Sequence, residues 1–399
     1  RNDGDNRFTE KTINTNYYGS LDWGDYDNNG YLDLVYSGAY TLTTTGIYQN
    51  NGDENFSLKA NPANIWGDVS WADFNNDGRL DLAVTGREGV WPYHYYLKIL
   101  RNNADSTWTT MNTGYYGYEG ALAWADFDND SDLDLMVSGS SEYNGLGSYS
   151  RRTRLYRNDG TDVFAEVDVG IINVDNSAMA AGDYDGDGRI DLAISGDAQI
   201  GSTLVRITRI YRNEGNEVFT DIGASLAGVV AGSLAWGDYN NDGRLDLAVS
   251  GYGDSTPVTK IYRNDGNNVF TDIEADIVAV NEGSIAWGDF DNDGNLDLLV
   301  TGVDSVNKNI FRIYYNNNGT LNTLPSPPTV LSETVDGNSV TFTWNTGSDL
   351  ETPAAALSYN LRVGTTPGGN DLFCGLADSS GWRRIPSVGN AQNSLSWKL

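Results

Sequence analysis

The sequence is poor in the residues that usually support catalysis or cross-linking. It has one cysteine, Cys374, and one histidine, His94, in 399 residues. A single cysteine excludes an internal disulfide, so a secreted chain of this kind needs another source of stability, and bound metal is the obvious one. The histidine lies among aromatic residues in the segment 91–96. We expect it to be a loop or strand residue, since the sequence offers no Ser-His-Asp or Cys-His arrangement around it.

Basic residues and long apolar runs are also scarce. The chain has 25 Lys and Arg against 55 Asp and Glu, which gives a formal charge of −30. Such a surface repels nucleic acid and anionic membranes, so neither is an expected partner. No apolar stretch approaches the length that spans a membrane. The 39% of hydrophobic residues, with 24 Tyr and 11 Trp, is enough to build a folded core.

What the sequence has instead is an acidic motif that recurs six times. The fifth copy, residues 234–251, reads Leu-Ala-Trp-Gly-Asp-Tyr-Asn-Asn-Asp-Gly-Arg-Leu-Asp-Leu-Ala-Val-Ser-Gly. The alternating apolar residues on both sides of the acidic stretch predict a strand, a tight loop and a second strand. Successive copies lie 48, 53, 57, 55 and 51 residues apart, which indicates a repeat architecture. The first aspartates of the six copies are Asp25, Asp73, Asp126, Asp183, Asp238 and Asp289.

The spacing of oxygen-bearing side chains in each loop predicts a calcium site. Counted from the first aspartate, Asp or Asn occupies positions 1, 3, 5 and 9, and position 7 can add its backbone carbonyl. Calcium prefers such an all-oxygen cage. The predicted ligands, loop by loop, are Asp25, Asp27, Asn29, Tyr31 and Asp33; Asp73, Asn75, Asp77, Arg79 and Asp81; Asp126, Asp128, Asp130, Asp132 and Asp134; Asp183, Asp185, Asp187, Arg189 and Asp191; Asp238, Asn240, Asp242, Arg244 and Asp246; and Asp289, Asp291, Asp293, Asn295 and Asp297.

Two other interpretations of the loops are weaker. An EF-hand needs a glutamate at position 12 and flanking helices, whereas position 12 lies in the following strand. Simple turns explain one or two carboxylates per loop but no fixed position 9. Asn29, Asn75 and Asn240 each replace a carboxylate, so loops one, two and five should bind more weakly. Loop three has Ser131 where the other loops have glycine, which predicts a strained turn.

A second signature completes each repeat. In the fifth copy, residues 259–273, a strand ends at Tyr-Arg, Asn264-Asp265-Gly266 form a turn, and another strand returns. One repeat is therefore four antiparallel strands, A to D, as in a β-propeller blade. A linear β-solenoid is the alternative architecture. The predicted class is all-β, with a propeller of six four-stranded blades over residues 1–324, or of seven.

The ends of the repeat region predict how the ring closes. Residues 1–10 match the hairpin and strand D of a repeat, while the sixth repeat has no clear strand D after Tyr315. Lending the first strand to the last blade would remove an exposed edge and close six blades. Alternatively, the chain is processed or partial and further repeats precede Arg1. A third possibility is self-assembly by strand exchange between chains, which would make a filament or lattice subunit.

The pattern changes after Pro325. Residues 326–329 form a stiff, proline-containing linker. Strand-like runs at 340–344 and 357–363, with Trp344 and Tyr359 as core aromatics, resemble the opening of a fibronectin type III-like sandwich. About seventy residues is short for that fold, so residues 325–399 are expected to be a truncated sandwich domain.

The repeats resemble a known family. The run Gly-Asp-Tyr/Phe-Asp/Asn-x-Asp-Gly-x-Leu-Asp-Leu, followed by Ser/Thr-Gly, is similar to the FG-GAP or VCBS repeats of integrin α-subunit propellers and of many bacterial surface proteins. The resemblance covers about residues 1–320. It implies a calcium-stabilised propeller used in adhesion or recognition outside the cell. Integrin propellers have seven blades, whereas six copies are counted in this chain, and no integrin ligand site can be transferred because the matched motif is structural.

These features predict a binding protein rather than an enzyme. The metal loops and the Asn-Asp-Gly hairpins should share one face, and the variable connections should lie on the other. Exposed Tyr and Trp there are typical of protein or glycan recognition, although they could pack against neighbouring blades instead. We therefore expect an extracellular scaffold for adhesion or a surface assembly; the alternatives are a lectin-like glycan binder and a polysaccharide lyase or hydrolase. The variable connections are residues 17–18, 87–96, 115–118, 140–152 and 253–257.

Overall fold

The computed structural model describes residues 18–39, 43–52, 55–89, 94–103, 107–112, 117, 119–140, 150–160, 163–291, 293–317, 323, 325–337, 339–366, 369, 389 and 391–398. These residues form 26 strands and one short 3₁₀ helix, Ala354–Ala356. The predicted all-β class is confirmed. Within the described ranges, no helix is long and apolar enough to cross a membrane.

The first five repeats each form a four-stranded antiparallel sheet whose strands follow chain order. In the described part of the sixth repeat, the sheet has three strands. The five four-stranded sheets are β1 (Tyr18–Gly24), β2 (Asp33–Ala39), β3 (Thr43–Asn50) and β4 (Phe56–Ala63); β5 (Ile65–Ala72), β6 (Asp81–Glu88), β7 (His94–Asn102) and β8 (Trp108–Asn112); β9 (Leu122–Ala125), β10 (Asp134–Ser140), β11 (Arg151–Asn158) and β12 (Phe164–Val167); β13 (Val174–Gly182), β14 (Asp191–Ile200), β15 (Thr203–Asn213) and β16 (Phe219–Asp221); and β17 (Val230–Gly237), β18 (Asp246–Tyr252), β19 (Pro257–Asn264) and β20 (Phe270–Asp272). The sixth has β21 (Ile285–Gly288), β22 (Asp297–Val303) and β23 (Asn309–Tyr314).

The second strand of each sheet begins at the position-9 aspartate. In the fifth sheet Asp246 pairs with Gly237, the last residue of the first strand, so the acidic loop lies between two paired residues. The second strand then runs between the first and third strands of its own sheet and is covered on both faces by neighbouring sheets. It is accordingly apolar throughout, and Leu247, Ala248 and Val249 have no exposed surface. The loop geometry is therefore anchored in the core.

Neighbouring sheets are joined by aromatic stacks. Trp71 of the second sheet lies parallel to Tyr26 in the first loop, with ring centroids 6.1 Å apart. Trp236 of the fifth sheet stacks in the same way on Tyr184 of the fourth loop, at 6.1 Å. Equivalent stacks join Trp124 to Phe74 and Trp287 to Tyr239. The aromatic residue at position 2 of each of these loops is thus the seat for the first strand of the next sheet.

The first strands of all six sheets line one central cavity of about 810 Å³. Several of them contribute a glycine, because backbones approach closely there: a Cβ on Gly67 would lie 2.0 Å from the carbonyl oxygen of Thr85. Similar sheets arranged about a common axis, each packed on the next, form a β-propeller. The number of blades in the complete ring remains a prediction. The lining glycines and their fourth-repeat counterpart are Gly19, Gly67, Gly120, Ser177, Gly232 and Gly283.

The junction between the sixth sheet and the first differs from the others. Trp23, the counterpart of Trp71, is 40% exposed and contacts Phe56 of its own sheet edge-on at 5.9 Å. Leu21 is 56% exposed, whereas its counterpart Leu122 is 8% exposed. Residues 1–10, predicted to complete the sixth blade, lie outside the described residues, so that prediction stands untested.

The described residues from 325 onward, called the C-terminal module, contain a separate sheet. It consists of β24 (Leu331–Asp336), β25 (Ser339–Trp344) and β26 (Ser396–Lys398). Trp344 and Tyr359 pack against each other with ring centroids 5.8 Å apart. The strand predicted at 357–363 was wrong, because this segment, apart from a bridge residue at Val363, lies against the apolar cluster without a ladder. The sandwich fold and the boundary at residue 325 remain predictions.

Candidate functional site

The six acidic loops share one hydrogen-bond pattern around the first aspartate. In the fifth loop, the backbone N–H groups of Asp242 and Gly243 donate to the two oxygens of Asp238, at 3.0 and 2.7 Å. Position 6 has a positive φ, 81° at Gly243 and 78° at Ser131, so the strain predicted for loop three is present. The same pair of bonds is made to Asp25, Asp73, Asp126, Asp183 and Asp289.

The position-9 aspartate is held by the asparagine of the hairpin. The backbone N–H of Asn213 donates to Asp191 Oδ1 at 2.8 Å. The Asn213 side chain then donates to the carbonyl oxygen of Phe127 in the preceding loop, at 2.7 Å. We call this asparagine the clasp. The sequence analysis treated it only as a turn residue; its recurrence at the same place in every hairpin was the available signal. The other clasp residues are Asn50, Asn102, Asn158, Asn264 and Asn316.

The position-5 side chain turns partly toward its own backbone. In the fourth loop Asp187 Oδ1 accepts the N–H of Arg189 at 3.0 Å, and Asp187 Oδ2 forms an ion pair with the Arg189 guanidinium. Arginine at position 7 makes the same pair with Asp77 in loop two and with Asp242 in loop five. These arginines offset part of the acidic charge. The predicted carbonyl ligand at position 7 remains a prediction.

Positions 1, 3 and 9 converge in four of the loops. In each, one carboxylate oxygen from each of the three residues lies within 4.8 Å of the others, an arrangement that could hold a metal ion. In loops two and five position 3 is Asn75 or Asn240, so fewer carboxylates are available there. A further group in loop three joins Asp128 and Asp130 to Asp159 of the hairpin. The converging sets are Asp25, Asp27 and Asp33; Asp126, Asp128 and Asp134; Asp183, Asp185 and Asp191; and Asp289, Asp291 and Asp297.

Burial leaves these carboxylates in need of a counter-charge. Asp81, Asp134 and Asp191 have no exposed surface, and loss of hydration raises their pKa values to about 9, 8 and 8. Burial likewise raises the pKa of Asp33 and of Asp246 to about 7. Within the described residues, Asp81 Oδ2 is buried without a hydrogen-bond partner. A cation would satisfy both needs, and the all-oxygen donor set fits a hard divalent ion.

A cleft of about 530 Å³ lies at the opposite ends of the strands. Sheets four, five and six line it, and part of the variable connection 253–257 contributes to its wall. The Arg206 guanidinium lies 5.0 Å from the ring centroid of Tyr252, and Glu282 and Asp304 add carboxylates to the lining. The lone His94 is exposed at the start of β7, 6.3 Å from the Tyr96 ring, as expected for a strand residue among aromatics.

The other variable connections are only partly covered by the described residues. Residues 17, 90–93, 113–116, 118 and 141–149 lie outside them. The predicted recognition surface can therefore be followed mainly around the cleft.

Comparison with known proteins supports the repeat assignment. Residues 183–249 and 238–300 match the FG-GAP-like repeat. No curated protein matches the chain. The chain is similar in structure to an Agrocybe aegerita lectin described as recognising non-reducing terminal N-acetylglucosamine, with 17% identity, a TM-score of 0.46, and coverage of 75% of this chain and 80% of the lectin.

Two further solved structures are similar. One is a complex of BT0996 with a part of RGII, at 8% identity and TM-score 0.37, covering 78% of this chain and 92% of that one. The other is a glycoside hydrolase at 9% identity and TM-score 0.34, covering 74% and 86%. At these scores the likeness does not extend to a ligand or an activity. The chain thus contains FG-GAP-like repeats within a β-propeller.

Proposed function

We propose that the protein is a calcium-stabilised propeller that serves as a recognition scaffold outside the cell, in adhesion or in a surface assembly. The observation that carries the proposal is the repeated convergence of positions 1, 3 and 9 at the start of a buried strand. Bound calcium would neutralise these carboxylates and fix the loop to which the next sheet is stacked. The ions would then support the ring as a whole, in place of disulfides.

The donor chemistry favours calcium over other metals. The converging atoms are carboxylate oxygens, and the loops contain no histidine or cysteine. Zinc and copper prefer nitrogen and sulfur ligands, and magnesium demands a small octahedral site that keeps several waters. A flexible loop with carboxylate, amide and backbone oxygens suits calcium best.

Calcium binding tests this proposal directly. Titration of the metal-free full chain with calcium alone, followed by elemental analysis after dialysis, should show several bound ions per chain. Asp191→Ala should weaken binding more than Asn240→Ala, because it removes a carboxylate from a four-carboxylate loop. That difference in stability should shrink when a chelator is present. Absence of calcium uptake by the wild-type chain would refute the proposal.

The face with the cleft is the proposed recognition surface for a protein or glycan ligand. A second candidate function, glycan binding, is favoured by the combination of an aromatic ring, Tyr252, with hydrogen-bonding groups of both signs in one recess. Screening a glycan array would separate this from a protein-binding scaffold. Tyr252→Ala should abolish any glycan signal, whereas Phe311→Ala, at a residue 73% exposed and outside the cleft, should not.

Enzymatic action on a polysaccharide is the third candidate. In the described residues, the groups of three close carboxylates all belong to the acidic loops or their hairpins. This distribution favours a structural use of the acid. Turnover of any polysaccharide by the purified chain would instead establish an enzyme.

A further inference from the structure

The C-terminal module rests on the acidic-loop face of the propeller. One apolar cluster contains Leu133 of the third loop, Ala72 beside the second loop, and Leu357, Tyr359 and Trp397 of the module. Trp397 is 1% exposed, although it lies near the end of the described chain. The contact therefore buries an aromatic anchor against loops predicted to bind ions.

Two consecutive residues of the module reach the first aspartates of neighbouring loops. Gln392 Oε1 accepts the backbone N–H of Asp126 at 2.9 Å. Asn393 Nδ2 donates to Asp183 Oδ2 at 3.3 Å and to the Ala355 carbonyl oxygen at 3.0 Å. Position 1 of loops three and four is thus held partly by side chains from the module.

Loop three departs from the repeat pattern at the point of contact. Its position 6 carries Ser131 instead of glycine, and the Ser131 hydroxyl lies 3.4 Å from Ser394 Oγ and 3.4 Å from the Ser396 carbonyl oxygen. The strained serine is therefore in contact with the module.

Loop four departs from the pattern at position 4. The other described loops have asparagine there, and each side chain donates to the following loop. Loop four has Gly186, where an added Cβ would lie 3.6 Å from Ala356 Cβ and 3.7 Å from Pro353 Cγ. A full asparagine side chain would extend into the module. The asparagines of the other loops, all at positive φ, are Asn28, Asn76, Asn129 and Asn241.

The module covers one arc of the loop face only. In loop five, a Cβ on Gly243 would lie 1.8 Å from the Glu351 carbonyl oxygen. At the same position in loops one and six, a Cβ on Gly30 or Gly294 would meet nothing within 4 Å. We call loops three to five the covered loops, and loops one and six the open loops.

We propose that the C-terminal module is a calcium-dependent clamp, with Gln392 and Asn393 as positioning residues for the ions of loops three and four. This inference rests on the proposed calcium binding. Asp126 and Asp183 are 3% and 5% exposed beneath the module. Without ions, covering the loops buries uncompensated negative charge; with ions, the same contact shields a neutralised site. Ion binding and docking must then strengthen each other by the same factor.

Gly186→Asn separates docking from the ion ligands. It introduces the residue that the other loops carry, in a backbone conformation that asparagine accepts, since φ is 71° at Gly186 and 55–62° at those asparagines. The ligand carboxylates are unchanged. The matched control is Gly201→Asn, at a glycine with φ 62° and no atom within 4 Å of an added Cβ. Hydrogen exchange of residues 391–398 in the full chain reports docking, and titration with calcium alone reports affinity.

The clamp predicts three linked results. In the wild type, calcium should slow exchange at residues 391–398. Gly186→Asn should restore fast exchange there at saturating calcium, while exchange in β17 to β20 stays slow. It should also weaken one class of calcium sites by about 5-fold or more and leave the rest unchanged, the usual range of such coupling being about 5- to 150-fold. Gly201→Asn should change neither quantity.

Other outcomes overturn the clamp. If Gly186→Asn releases the module without changing calcium affinity, docking is not coupled to the ions. If exchange at 391–398 is the same with and without calcium, the module is fixed regardless of them. Should Gly186→Asn fail to fold, Gln392→Ala provides the same test, with Ser332→Ala as its control in the module's own sheet. A wild-type chain that binds no calcium would refute the proposed function itself, which distinguishes the two failures.

Discussion

The covered and the open loops have the same ligand pattern but different surroundings. Loops four and six both place aspartate at positions 1, 3, 5 and 9, and both bring positions 1, 3 and 9 together. Yet Asp183 is buried under the module, whereas its counterpart Asp289 is half-buried. The difference teaches that a repeat motif specifies a local cage, while residues outside the motif decide how far water can reach it. Affinity and exchange rate should follow the second factor.

Removal of all calcium should have the largest effect. Each site filled at a hundred times its dissociation constant contributes about 2.7 kcal/mol to the folded state. Several such sites should raise Tm by roughly 10 °C or more. Differential scanning calorimetry with calcium and then with EDTA measures the shift. We expect ions to leave the open loops first as chelator is added. A melting curve that EDTA does not move would mean that the loops are ordinary turns.

Single carboxylate deletions should sharpen the comparison. Asp185→Ala and Asp291→Ala remove the same position-3 ligand from a covered and an open loop, and both side chains are exposed. Each should weaken its own site by at least about 10-fold, in line with the loss expected when support of a metal is removed. Only Asp185→Ala should also speed hydrogen exchange at residues 391–398. Equal effects of the two variants on that exchange would count against the distinction.

The metal-free protein should lose stability as pH rises. The folded-state pKa values of Asp134 and Asp191, in covered loops, are about 8, and that of Asp33, in an open loop, is about 7, all above the ordinary 3.8. Groups with a raised pKa favour folding when they are protonated. Their stabilisation is therefore complete below the ordinary pKa and is lost as pH rises through 7 to 8. For the fully buried Asp134 and Asp191, the loss is about 1.4 kcal/mol for each pH unit within that window.

The measurement is Tm in EDTA from about pH 5 to pH 9, the range that contains these raised pKa values, compared with saturating calcium. Calcium should remove the decline, because the ion replaces the protons. Metal-free stability that rises over the same range would show that these carboxylates are ionised without an ion in the folded protein.

Ser131→Gly should have the smallest and most specific effect. Glycine accepts the positive φ without strain, which is worth about 1 kcal/mol, but it removes the hydroxyl contacts to Ser394 and Ser396. The free energy of unfolding should therefore change by less than about 1 kcal/mol, while exchange at 391–398 increases. If exchange does not increase, the serine is not part of the docking contact.

Sequence periodicity was sufficient for most of the fold. Alternating apolar residues and fixed loop spacing predict the strand–loop–strand units, and the structure starts every second strand at the predicted position-9 aspartate. This works because the pairing of Gly237 with Asp246, and of its counterparts, is local in sequence. The convergence of positions 1, 3 and 9 follows from the same short-range geometry.

Long-range contacts could not be predicted in this way. The predicted strand at 357–363 has a suitable apolar pattern, but that pattern serves packing of Leu357 and Tyr359 against the propeller loops. Likewise, Ser131 and Gly186 are visible as exceptions in the repeats, yet their meaning depends on residues far along the chain, such as Ser394 and Ala356. An exception in one copy shows where to look, and only the fold shows what lies there.

The clasp asparagines connect the loops into a line of communicating sites. Asn213 links Asp191 to Phe127, whose own N–H donates to Asp134 Oδ2 at 3.0 Å. Asn264 links Asp246 in the same manner to Tyr184, whose N–H donates to Asp191. Movement of one carboxylate on ion capture is therefore transmitted to the adjacent cage through two hydrogen-bonded residues. Ions entering such a line should favour places next to an occupied neighbour, so that partial loading yields contiguous runs of filled cages and an uptake curve steeper than independent sites allow.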